Sequence, residues 1–520
     1  MTAPTGDPLS LLAAAEPART AVIEDDRRLT YAEFNALVNR YANLLVDHDV
    51  RAGAKVVWCG RNSTEVVALI AALRKCGAVG VPLNYRLTPE EASYVIENAD
   101  AALVVFDAEQ APQLEPASWR APGVRRWLAF RGHAPDWASS LDALAAKSPV
   151  TEPVPRGADP VAGSSMFYTS GTTGKPKGVV RGEIDQAIVL GLVGEIGFQP
   201  GDVYLTTGPL YHSGPMSFML IVQLMGGTVV VMRDFDPERW LDLVERHRVT
   251  TTFSAPTPVR RVLDLPDEVI ARRDLSSLQR MIANAAPWPF ELKRRYIDKI
   301  GEGSLFEVYG STELGVDTVL RPEDQLRKPG SCGRAAPGVE IALFDEEGRP
   351  VEEPHVPGDL YVRGAAVFQD YYKAEGKYRD ASRGEWLTVG DIAYRDEEGF
   401  YYICDRRTDM IISGGVNIYP AEIEAVLTAH PAVADAAVFG VPSDEWGEAV
   451  HAAVVLHDDA VTNDAVTDED LRGFCREHLA SYKTPRGFDR IAEIPRNPSG
   501  KTLKRRLRDP YWENRNTRIG

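Results

Sequence analysis

Short apolar strands alternate with helices near the start of the chain, and this alternation is the strongest constraint on the fold. The runs Lys55–Cys59, Val79–Pro82 and Ala102–Phe106 are typical of buried strands. Helical patterns at about Thr64–Lys75 and Glu90–Asn98 separate them. Strands joined through helices run parallel and are covered on both faces. The sequence therefore predicts an α/β fold with a mainly parallel sheet.

The pattern changes in the last third of the chain. From about Gly338, short strands separated by Gly, Asp and Glu turns predict a small barrel-like β region. A charged break at residues 405–409 is followed by the pattern of a compact α+β unit. We therefore expect a large N-terminal domain over residues 1–404, a hinge over 405–409 and a small, mobile C-terminal domain over 410–520.

Composition narrows the class of partner. The chain has 520 residues, of which 44% are hydrophobic and 26% charged, as in ordinary soluble globular proteins. The net charge of −17 argues against nucleic acid or an anionic membrane surface as a partner. An acidic protein that binds anions must concentrate its positive charge locally.

Cysteine usage and the N-terminus indicate the compartment. The five cysteines are far apart without a Cys-x-x-Cys pair, which predicts free thiols in a reducing cytosol rather than a disulfide frame or zinc site. No signal-peptide pattern occurs, and no apolar run approaches the ~18 residues of a membrane span. We expect a cytoplasmic protein without an integral membrane segment. The oligomeric state stays open, a homodimer included.

Local positive charge is found in Tyr168–Val179, which reads Tyr-Thr-Ser-Gly-Thr-Thr-Gly-Lys-Pro-Lys-Gly-Val. Glycines let backbone N–H groups approach a phosphate chain, hydroxyls add donors, and lysines add charge. The Walker A spacing Gly-x-x-x-x-Gly-Lys-Ser/Thr is not met, because Pro176 stands five residues after Gly171 and also follows Lys175. The stretch therefore predicts a phosphate-binding loop of another kind.

Four further segments supply groups that a nucleotide site needs. Glu313 is a candidate Mg²⁺ ligand, and Tyr309 can stack on a base. Asp391 can accept hydrogen bonds from ribose hydroxyls, with Arg406 as a companion. Lys501, on a Pro-Ser-Gly-Lys turn, can reach developing negative charge.

In order and spacing, these motifs resemble the adenylate-forming superfamily, which includes acyl-CoA synthetases, peptide-synthetase adenylation domains and firefly-type luciferases. The resemblance runs from Leu29-Thr30-Tyr31 to Lys501. It implies two steps. A carboxylate first attacks the α-phosphate of ATP, giving an acyl-adenylate and pyrophosphate. A thiol, usually that of coenzyme A, then displaces AMP and forms a thioester. ATP, Mg²⁺ and coenzyme A follow as the implied ligands.

The resemblance also implies a role for each matching residue. The loop would hold the β- and γ-phosphates through Thr169, Ser170, Gly171, Thr172, Thr173, Gly174, Lys175 and Lys177. The adenine and acyl pocket would be lined by Asn284, Ala285, Ala286 and Pro287, with Tyr309 and Gly310 beside the adenine. The catalytic and ribose groups would be Thr312 at the α-phosphate, Glu313 on Mg²⁺, His212 beside the acyl carboxylate, Asp391 and Arg406 on the ribose, and Lys501 bridging carboxylate and phosphate.

A rotation of the C-terminal domain between the two steps is implied as well. Lys501 would leave after adenylation, and the segment containing Gly414 and Gly415 would swing in to line the thiol tunnel. Three positions depart from the family pattern, and the smallest departure is Val389, which precedes Gly390-Asp391 where Thr is usual. Asn284 stands where many members have glycine, which predicts a narrower or more polar acyl pocket. Thr408 stands at a hinge position often held by Lys or Asp.

The chain is thus expected to be an acyl-CoA ligase of lipid metabolism. The acyl pocket would draw on His212–Phe218, Asn284 and Gly310–Leu314, and Met216, Phe218 and Met219 favour a medium or long fatty acid, or an alicyclic or steroid-derived acid. Only 19 residues follow Lys501, so we expect no attached carrier domain. Two alternatives remain: transfer to a separate carrier protein or another nucleophile, and a non-catalytic AMP-binding regulatory module.

Overall fold

A computed structural model describes residues 7–169, 176–180, 186–286, 288–364, 370–373, 376, 381–407, 409–413, 416–443, 445–457, 466–496 and 502–513. Its helices are α1 (Pro8–Ala15), α2 (Tyr31–Asp47), α3 (Thr64–Lys75), α4 (Pro89–Asn98), α5 (Ala111–Arg120), α6 (Leu141–Ala145), α7 (Gln186–Ile196), α8 (Ser213–Leu224), α9 (Pro237–His247), α10 (Pro256–Leu263), α11 (Asp267–Ala271), α12 (Phe290–Ile300), α13 (Pro420–Ala429), α14 (Asp468–His478) and α15 (Lys504–Trp512).

The strands are β1 (Thr20–Glu24), β2 (Arg27–Thr30), β3 (Lys55–Cys59), β4 (Val79–Leu83), β5 (Leu103–Asp107), β6 (Arg126–Phe130), β7 (Ser139–Ser140), β8 (Met166–Thr169), β9 (Lys177–Val180), β10 (Val203–Leu205), β11 (Thr228–Val231), β12 (Thr251–Ser254), β13 (Arg280–Ala283), β14 (Leu305–Ser311), β15 (Gly315–Leu320), β16 (Arg334–Ala335), β17 (Glu340–Phe344), β18 (Gly358–Arg363), β19 (Asp370–Tyr372), β20 (Ser382–Arg383), β21 (Trp386–Leu387), β22 (Asp391–Arg395), β23 (Tyr401–Arg406), β24 (Ile411–Ser413), β25 (Val416–Ile418), β26 (Val433–Ser443), β27 (Gly447–Leu456) and β28 (Gly487–Arg490).

Two largely parallel sheets form the body of the N-terminal part. The larger has the order β16-β15-β14-β13-β12-β10-β11-β1-β2, and its strands from β14 to β1 all pair in parallel. The smaller has the order β4-β3-β5-β6-β7 and is parallel throughout. The predicted parallel α/β architecture is confirmed.

Helices α2 and α3 lie between these sheets. Thr30 and Glu33 form a reciprocal capping box that starts α2, because the hydroxyl and the carboxylate each satisfy a backbone N–H that has no partner within the helix. Nearly every side chain of α3 is buried, which fits its apolar residues on all sides. Gly77, with φ of 74°, turns the chain from α3 into β4.

The remaining sheets are antiparallel or mixed. Strands β19, β9 and β8 form a small antiparallel sheet beside the smaller parallel one. The barrel-like region predicted from residue 338 is an antiparallel sheet with the order β20-β21-β18-β22-β23, in which β17 also pairs with β18. A separate C-terminal domain contains β24 to β28 with α13 and α14 packed against them. Among the described residues, no helix is long and apolar enough to cross a membrane.

A buried ion pair ties together the amino-terminal ends of the large sheet. Arg280 on β13 pairs with Asp202 just before β10, and both side chains are about 5% exposed or less. The Arg280 guanidinium also donates to Thr251 Oγ1 on β12 (3.0 Å) and to Gly197 O (2.8 Å). Asp202 accepts from Thr250 Oγ1 (2.8 Å) and Gln199 N (2.8 Å). This network fixes β10, β12 and β13 relative to one another.

We expect Asp202→Ala to lower the thermal midpoint by several degrees. It leaves the Arg280 charge buried without its counter-ion, which costs about 3–5 kcal/mol. The double variant Asp202→Ala/Arg280→Met should recover much of the loss, because no unpaired charge stays buried. Thermal unfolding of the two variants and the parent enzyme measures this. A double variant less stable than Asp202→Ala alone would contradict the assignment.

Candidate active site

The carboxyl ends of four neighbouring strands meet at one edge of the large sheet. Strands β10, β12, β13 and β14 run in the same direction, so the segments that follow them converge. These segments contain His212, Ala255, Asn284 and Thr312, which all line one cavity. Open α/β sheets bind ligands at this edge.

The base of the predicted phosphate loop lies against the predicted metal ligand. Strands β8 and β9 pair with Thr169 opposite Lys177, so the loop between them begins and ends at one place. Thr169 Oγ1 donates to Glu313 Oε1 at 3.1 Å. The intervening residues Ser170, Gly171, Thr172, Thr173, Gly174 and Lys175 lie outside the described part of the chain.

The surroundings of Glu313 suit a magnesium ion that shares its ligands with a substrate. Over the described residues, no group of three or more His, Cys, Asp or Glu side chains could hold a metal ion. Mg²⁺ keeps several waters and is usually bound by one or two carboxylates together with substrate phosphates. The single carboxylate of Glu313 beside the hydroxyl of Thr169 fits that mode of binding.

The predicted ribose and adenine residues form one hydrogen-bonded group. Asp391 and Arg406 are direct partners in the β22–β23 ladder, and Arg406 Nε lies 3.1 Å from Asp391 Oδ1. Tyr309 Oη donates to Asp391 Oδ2 at 2.5 Å. Burial, reinforced by Asp391, raises the pKa of Tyr309, so its hydroxyl remains a donor. Since a carboxylate accepts about four hydrogen bonds, Asp391 can still accept hydrogen bonds from ribose hydroxyls.

Strand β14 extends through Ser311 to the residue before Thr312. Gly310 and Ser311 belong to the strand, and they pair with Val316 and Gly315 on β15. A Cβ at residue 310 would collide with the backbone oxygen of Gly315, so glycine is required at this close approach. Thr312 follows directly, and its Oγ1 lies 3.0 Å from Ser213 Oγ at the start of α8.

His212 lies at the head of α8 as a neutral imidazole. It is the N-cap residue of α8 but makes no side-chain capping bond. Its Nε2 is buried and has no hydrogen-bond partner among the described residues. Burial, together with the charge of Arg86, lowers the pKa of His212 to about 4. The first turn of α8 also presents backbone N–H groups without helical partners, a setting that favours an anion such as a carboxylate.

Asn62 is a positioning residue that the sequence pattern did not reveal. Its Nδ2 donates to the backbone oxygens of Thr206 (3.2 Å), Gly208 (3.1 Å) and Met232 (3.3 Å). Its Oδ1 accepts from Leu210 N at 2.9 Å. Asn62 thus fixes the segment that leads to His212. A single asparagine between β3 and α3 carries no periodic or motif signal.

The cavity has a volume of about 930 Å³. One end is polar and is formed by His212, Ser213, Asn284 and Thr312. The walls beyond it are mainly apolar and contain Ile188, Val189 and Leu192 of α7, Phe218, Leu220, Ile221 and Leu224 of α8, Phe253 and Pro337. The C-terminal domain contributes Glu493 and Arg496. A Cβ on Gly214 would lie 2.7 Å from the ring of Phe253, so glycine is required beside that wall.

Part of the predicted acyl pocket is wrong. Met216, Met219 and Leu314 are buried in the core and do not line the cavity. Helix α8 begins at Ser213, and its cavity face carries Ser217, Leu220, Ile221 and Leu224. This is the i, i+3, i+4, i+7 spacing of one helix face. The methionines belong to the other face, toward the sheet.

Asn284 lines the polar end of the cavity. Its Nδ2 donates to Val308 O and its Oδ1 accepts from Ala285 N, both at 2.5 Å. Both polar ends are therefore occupied by backbone groups. Ala285 has a φ of 72° and Ala286 follows it, whereas Pro287 lies outside the described residues.

The residues predicted to change places between the two steps lie outside the described residues, namely Thr408, Gly414, Gly415 and Lys501. Their flanks are placed. Strands β24 and β25 pair as a hairpin on either side of Gly414 and Gly415. Arg496 Nη1 donates to Thr502 Oγ1 at 3.0 Å, and Arg496 lines the cavity. The chain on both sides of Lys501 is therefore held near the cavity.

We expect His212→Phe to retain adenylation within about ten-fold, because a neutral imidazole contributes at most one uncharged hydrogen bond. His212→Asp should reduce it by about a hundred-fold or more, since a second carboxylate would repel the substrate carboxylate. The lowered pKa means that His212 becomes charged only as the pH falls toward 4. The pH profiles of acid-dependent pyrophosphate exchange should then have the same shape in His212→Phe and the parent enzyme from pH 6 to 8. An inflection lost only in His212→Phe would contradict this.

Two family models and several known proteins match most of the chain. Residues 11–372 match the model of the AMP-binding enzymes, and residues 422–501 match the AMP-binding enzyme C-terminal domain. A long-chain-fatty-acid–CoA ligase of Mycobacterium tuberculosis is 34% identical over 508 residues, which cover 96% of this chain and 97% of the relative.

Two further proteins show the breadth of the similarity. A fatty acid–[acyl-carrier-protein] ligase of Streptomyces coeruleorubidus is 33% identical over 507 residues, covering 96% of this chain and 94% of the relative. The structure of o-succinylbenzoate CoA synthetase from Bacillus subtilis, in complex with its acyl-adenylate intermediate, superimposes with a TM-score of 0.81. It is 30% identical and covers 96% of this chain and 97% of that chain.

Proposed function

Since the chain belongs to the family of AMP-binding enzymes, we propose that it is an ATP-dependent acid–thiol ligase that converts a carboxylic acid to its acyl-CoA through an acyl-adenylate, releasing AMP and pyrophosphate. The observation that carries this proposal is the position of the cavity. Its polar end, at His212, Ser213 and Thr312, adjoins β14, whose Tyr309 joins the Asp391–Arg406 pair. An acyl chain and a nucleotide therefore meet at one point.

The acid is a medium- or long-chain fatty acid or an alicyclic or steroid-derived acid. The cavity volume of about 930 Å³ lies near the upper end of ordinary small-molecule pockets, about 300–1,000 Å³. Its walls of Leu, Ile, Val and Phe side chains favour burial of hydrocarbon, at about 0.8 kcal/mol per CH₂. Acetate would leave most of this surface uncovered.

Adenylation at this site needs charge neutralisation and alignment rather than a covalent enzyme intermediate. The head of α8 and neutral His212 receive the acid carboxylate, and the Thr312 hydroxyl receives the α-phosphate. Mg²⁺, held by Glu313 and phosphate oxygens, would supply positive charge near the phosphates. Asp391 and Arg406 orient the ribose. Lys501 neutralises negative charge on the acid carboxylate and the phosphate that react.

We also propose that the C-terminal domain over residues 410–520 is mobile. It would rotate about a hinge at residues 405–409. After adenylation, rotation at the hinge withdraws Lys501 and brings Gly414 and Gly415 toward the acyl carbonyl. Adjacent glycines leave room for a pantetheine arm close to the backbone. The antiparallel pairing of Ser413 with Val416, on either side of the two glycines, supports the proposal.

A carrier protein as acceptor is the second candidate. It is favoured by the 33% identity to an acyl-carrier-protein ligase over nearly the whole chain. Adenylation is the same whether the acceptor is CoA or a carrier protein, so the two candidate functions differ only in the acceptor of the second step. Thioester formation from preformed adenylate, with free CoA and with carrier proteins in parallel, identifies the acceptor.

An assay over graded carboxylic acids tests the function itself. Straight-chain acids from acetate to C18, with alicyclic and steroid-derived acids, are supplied with ATP, Mg²⁺ and CoA, and AMP and acyl-CoA are measured. We expect acid-dependent AMP release with a maximum above the short-chain acids. Absence of acid-dependent pyrophosphate release over the whole series would instead favour a non-catalytic AMP-binding module.

Two matched variants should separate the half-reactions. Lys501→Ala should abolish adenylation but leave thioester formation from supplied acyl-adenylate largely intact, because Lys501 acts only in the first step. Gly415→Leu should do the reverse, because its side chain blocks the thiol path. Pyrophosphate exchange and acyl-CoA formation measure the two steps. Equal loss of both steps in Lys501→Ala would refute the two-orientation scheme, and normal CoA turnover in Gly415→Leu would refute the tunnel placement.

A further inference from the structure

A buried carboxylate at the start of the predicted hinge joins the two domains. Asp405 is the penultimate residue of β23, one residue before Arg406, and its side chain is only 7% exposed. Asp405 Oδ2 accepts from Ala421 N of the C-terminal domain at 3.0 Å. It also lies 3.6 Å from Lys504 Nζ at the start of α15. One side chain thus contacts two separate elements of the other domain.

The contact with Ala421 replaces a cap that α13 lacks. Helix α13 begins with Pro420, and its N-cap residue Tyr419 makes no side-chain capping bond. The first N–H groups of a helix have no partner within the helix and are normally satisfied by a local Ser, Thr, Asp or Asn. Here the oxygen comes from Asp405, sixteen residues earlier and across the domain border. The negative charge also lies at the favourable end of the helix dipole.

The contact with Lys504 reaches the segment that carries Lys501. Lys504 is nearly buried, and its Nζ lies 2.9 Å from Glu424 Oε1 on α13. Burial lowers the pKa of Lys504, but Glu424 and Asp405 more than offset it, so the pKa is raised and the lysine stays charged. Leu503 N donates to Pro495 O at 2.8 Å, so the start of α15 also lies against Pro495. Asp405 and Glu424 therefore hold the start of α15 near the end of β23.

We propose that Asp405 is a positioning residue that holds the C-terminal domain in the adenylating orientation, by capping α13 in trans and meeting Lys504, and that this contact opens for thioester formation. The proposal rests on the function proposed above. Asp405 touches neither nucleotide nor acid in this assignment. It acts through the placement of the segment that carries Lys501.

The experiment compares the two half-reactions in full-length variants. Asp405→Ala removes the oxygen that caps α13, and the loss of a cap predicts about a ten-fold slower adenylation. Thioester formation from supplied acyl-adenylate should be unchanged or faster. The ratio of the two rates, taken on one sample, is independent of the fraction of protein that folds.

Asp405→Asn is the conservative variant. Its amide oxygen can still accept from Ala421 N. Lys504 keeps its contact with Glu424 at 2.9 Å, so removal of the Asp405 charge leaves that ammonium group paired. Asp405→Asn should therefore restore adenylation to within about three-fold of the parent enzyme. A ratio as low as that of Asp405→Ala would overturn the role of the cap.

Asp396→Ala is the matched control. Asp396 is equally buried, pairs with Lys328 at 2.7 Å and accepts from the backbone N–H groups of Glu398 and Phe400, but all these partners lie in the N-terminal domain. Its loss can lower stability but should leave the ratio of the half-reactions unchanged. A ratio that falls as in Asp405→Ala would show that the effect is not specific to the domain border.

Amide hydrogen exchange of the unmodified enzyme gives a second measurement. The peptide that begins α13 should exchange more slowly with ATP, Mg²⁺ and acid than with acyl-adenylate and CoA, because Ala421 N keeps its acceptor only in the first state. Equal exchange in both states would overturn the proposal. An enzyme that performs neither half-reaction on any acid would refute the proposed function. If both half-reactions proceed and Asp405→Ala leaves their ratio unchanged, only the present inference fails.

Discussion

Parallel pairing of β10, β12, β13 and β14 is the constraint on which the rest of the site depends. It brings four strand ends to one edge, so residues far apart in sequence become neighbours. The Arg280–Asp202 network fixes the opposite ends of three of these strands in a desolvated environment. Asn62 then fixes the segment that follows β10. The direction of the strands determines where the site forms. The two buried polar networks fix the positions of the strands and loops that carry its side chains.

The charged side chains of the proposed nucleotide site are held in place by other residues of the protein. Asp391 and Glu313 already have internal partners, Arg406 and Tyr309 for the former and Thr169 for the latter. Their geometry is therefore fixed before a ligand arrives, which reduces the ordering that binding must impose. His212 is kept neutral by burial, so the polar end of the cavity can accept a carboxylate without adding a titrating charge. The net charge of −17 does not indicate that the cavity has a polar end that can accept a carboxylate.

Sequence periodicity predicted the parallel architecture and the separate C-terminal domain, because each depends on local patterns. It placed Met216 and Met219 in the acyl pocket wrongly. A helix with apolar residues on both faces does not reveal which face borders a cavity. The positioning roles of Asn62 and Asp405 could not be predicted from the sequence for a related reason. Each acts through backbone groups distant in sequence, and such partners leave no spacing in the chain.

Strand β23 carries two functions on adjacent residues. Successive side chains of a strand point to opposite faces, so Arg406 meets Asp391 at the predicted ribose site while Asp405 meets Ala421 and Lys504 at the domain border. Asp405 Oδ1 also accepts from Arg406 N at 2.7 Å, which ties the two residues directly. Pairing with β22 fixes this end of the strand, so the geometry of the predicted ribose site and that of the domain border depend on two adjacent residues.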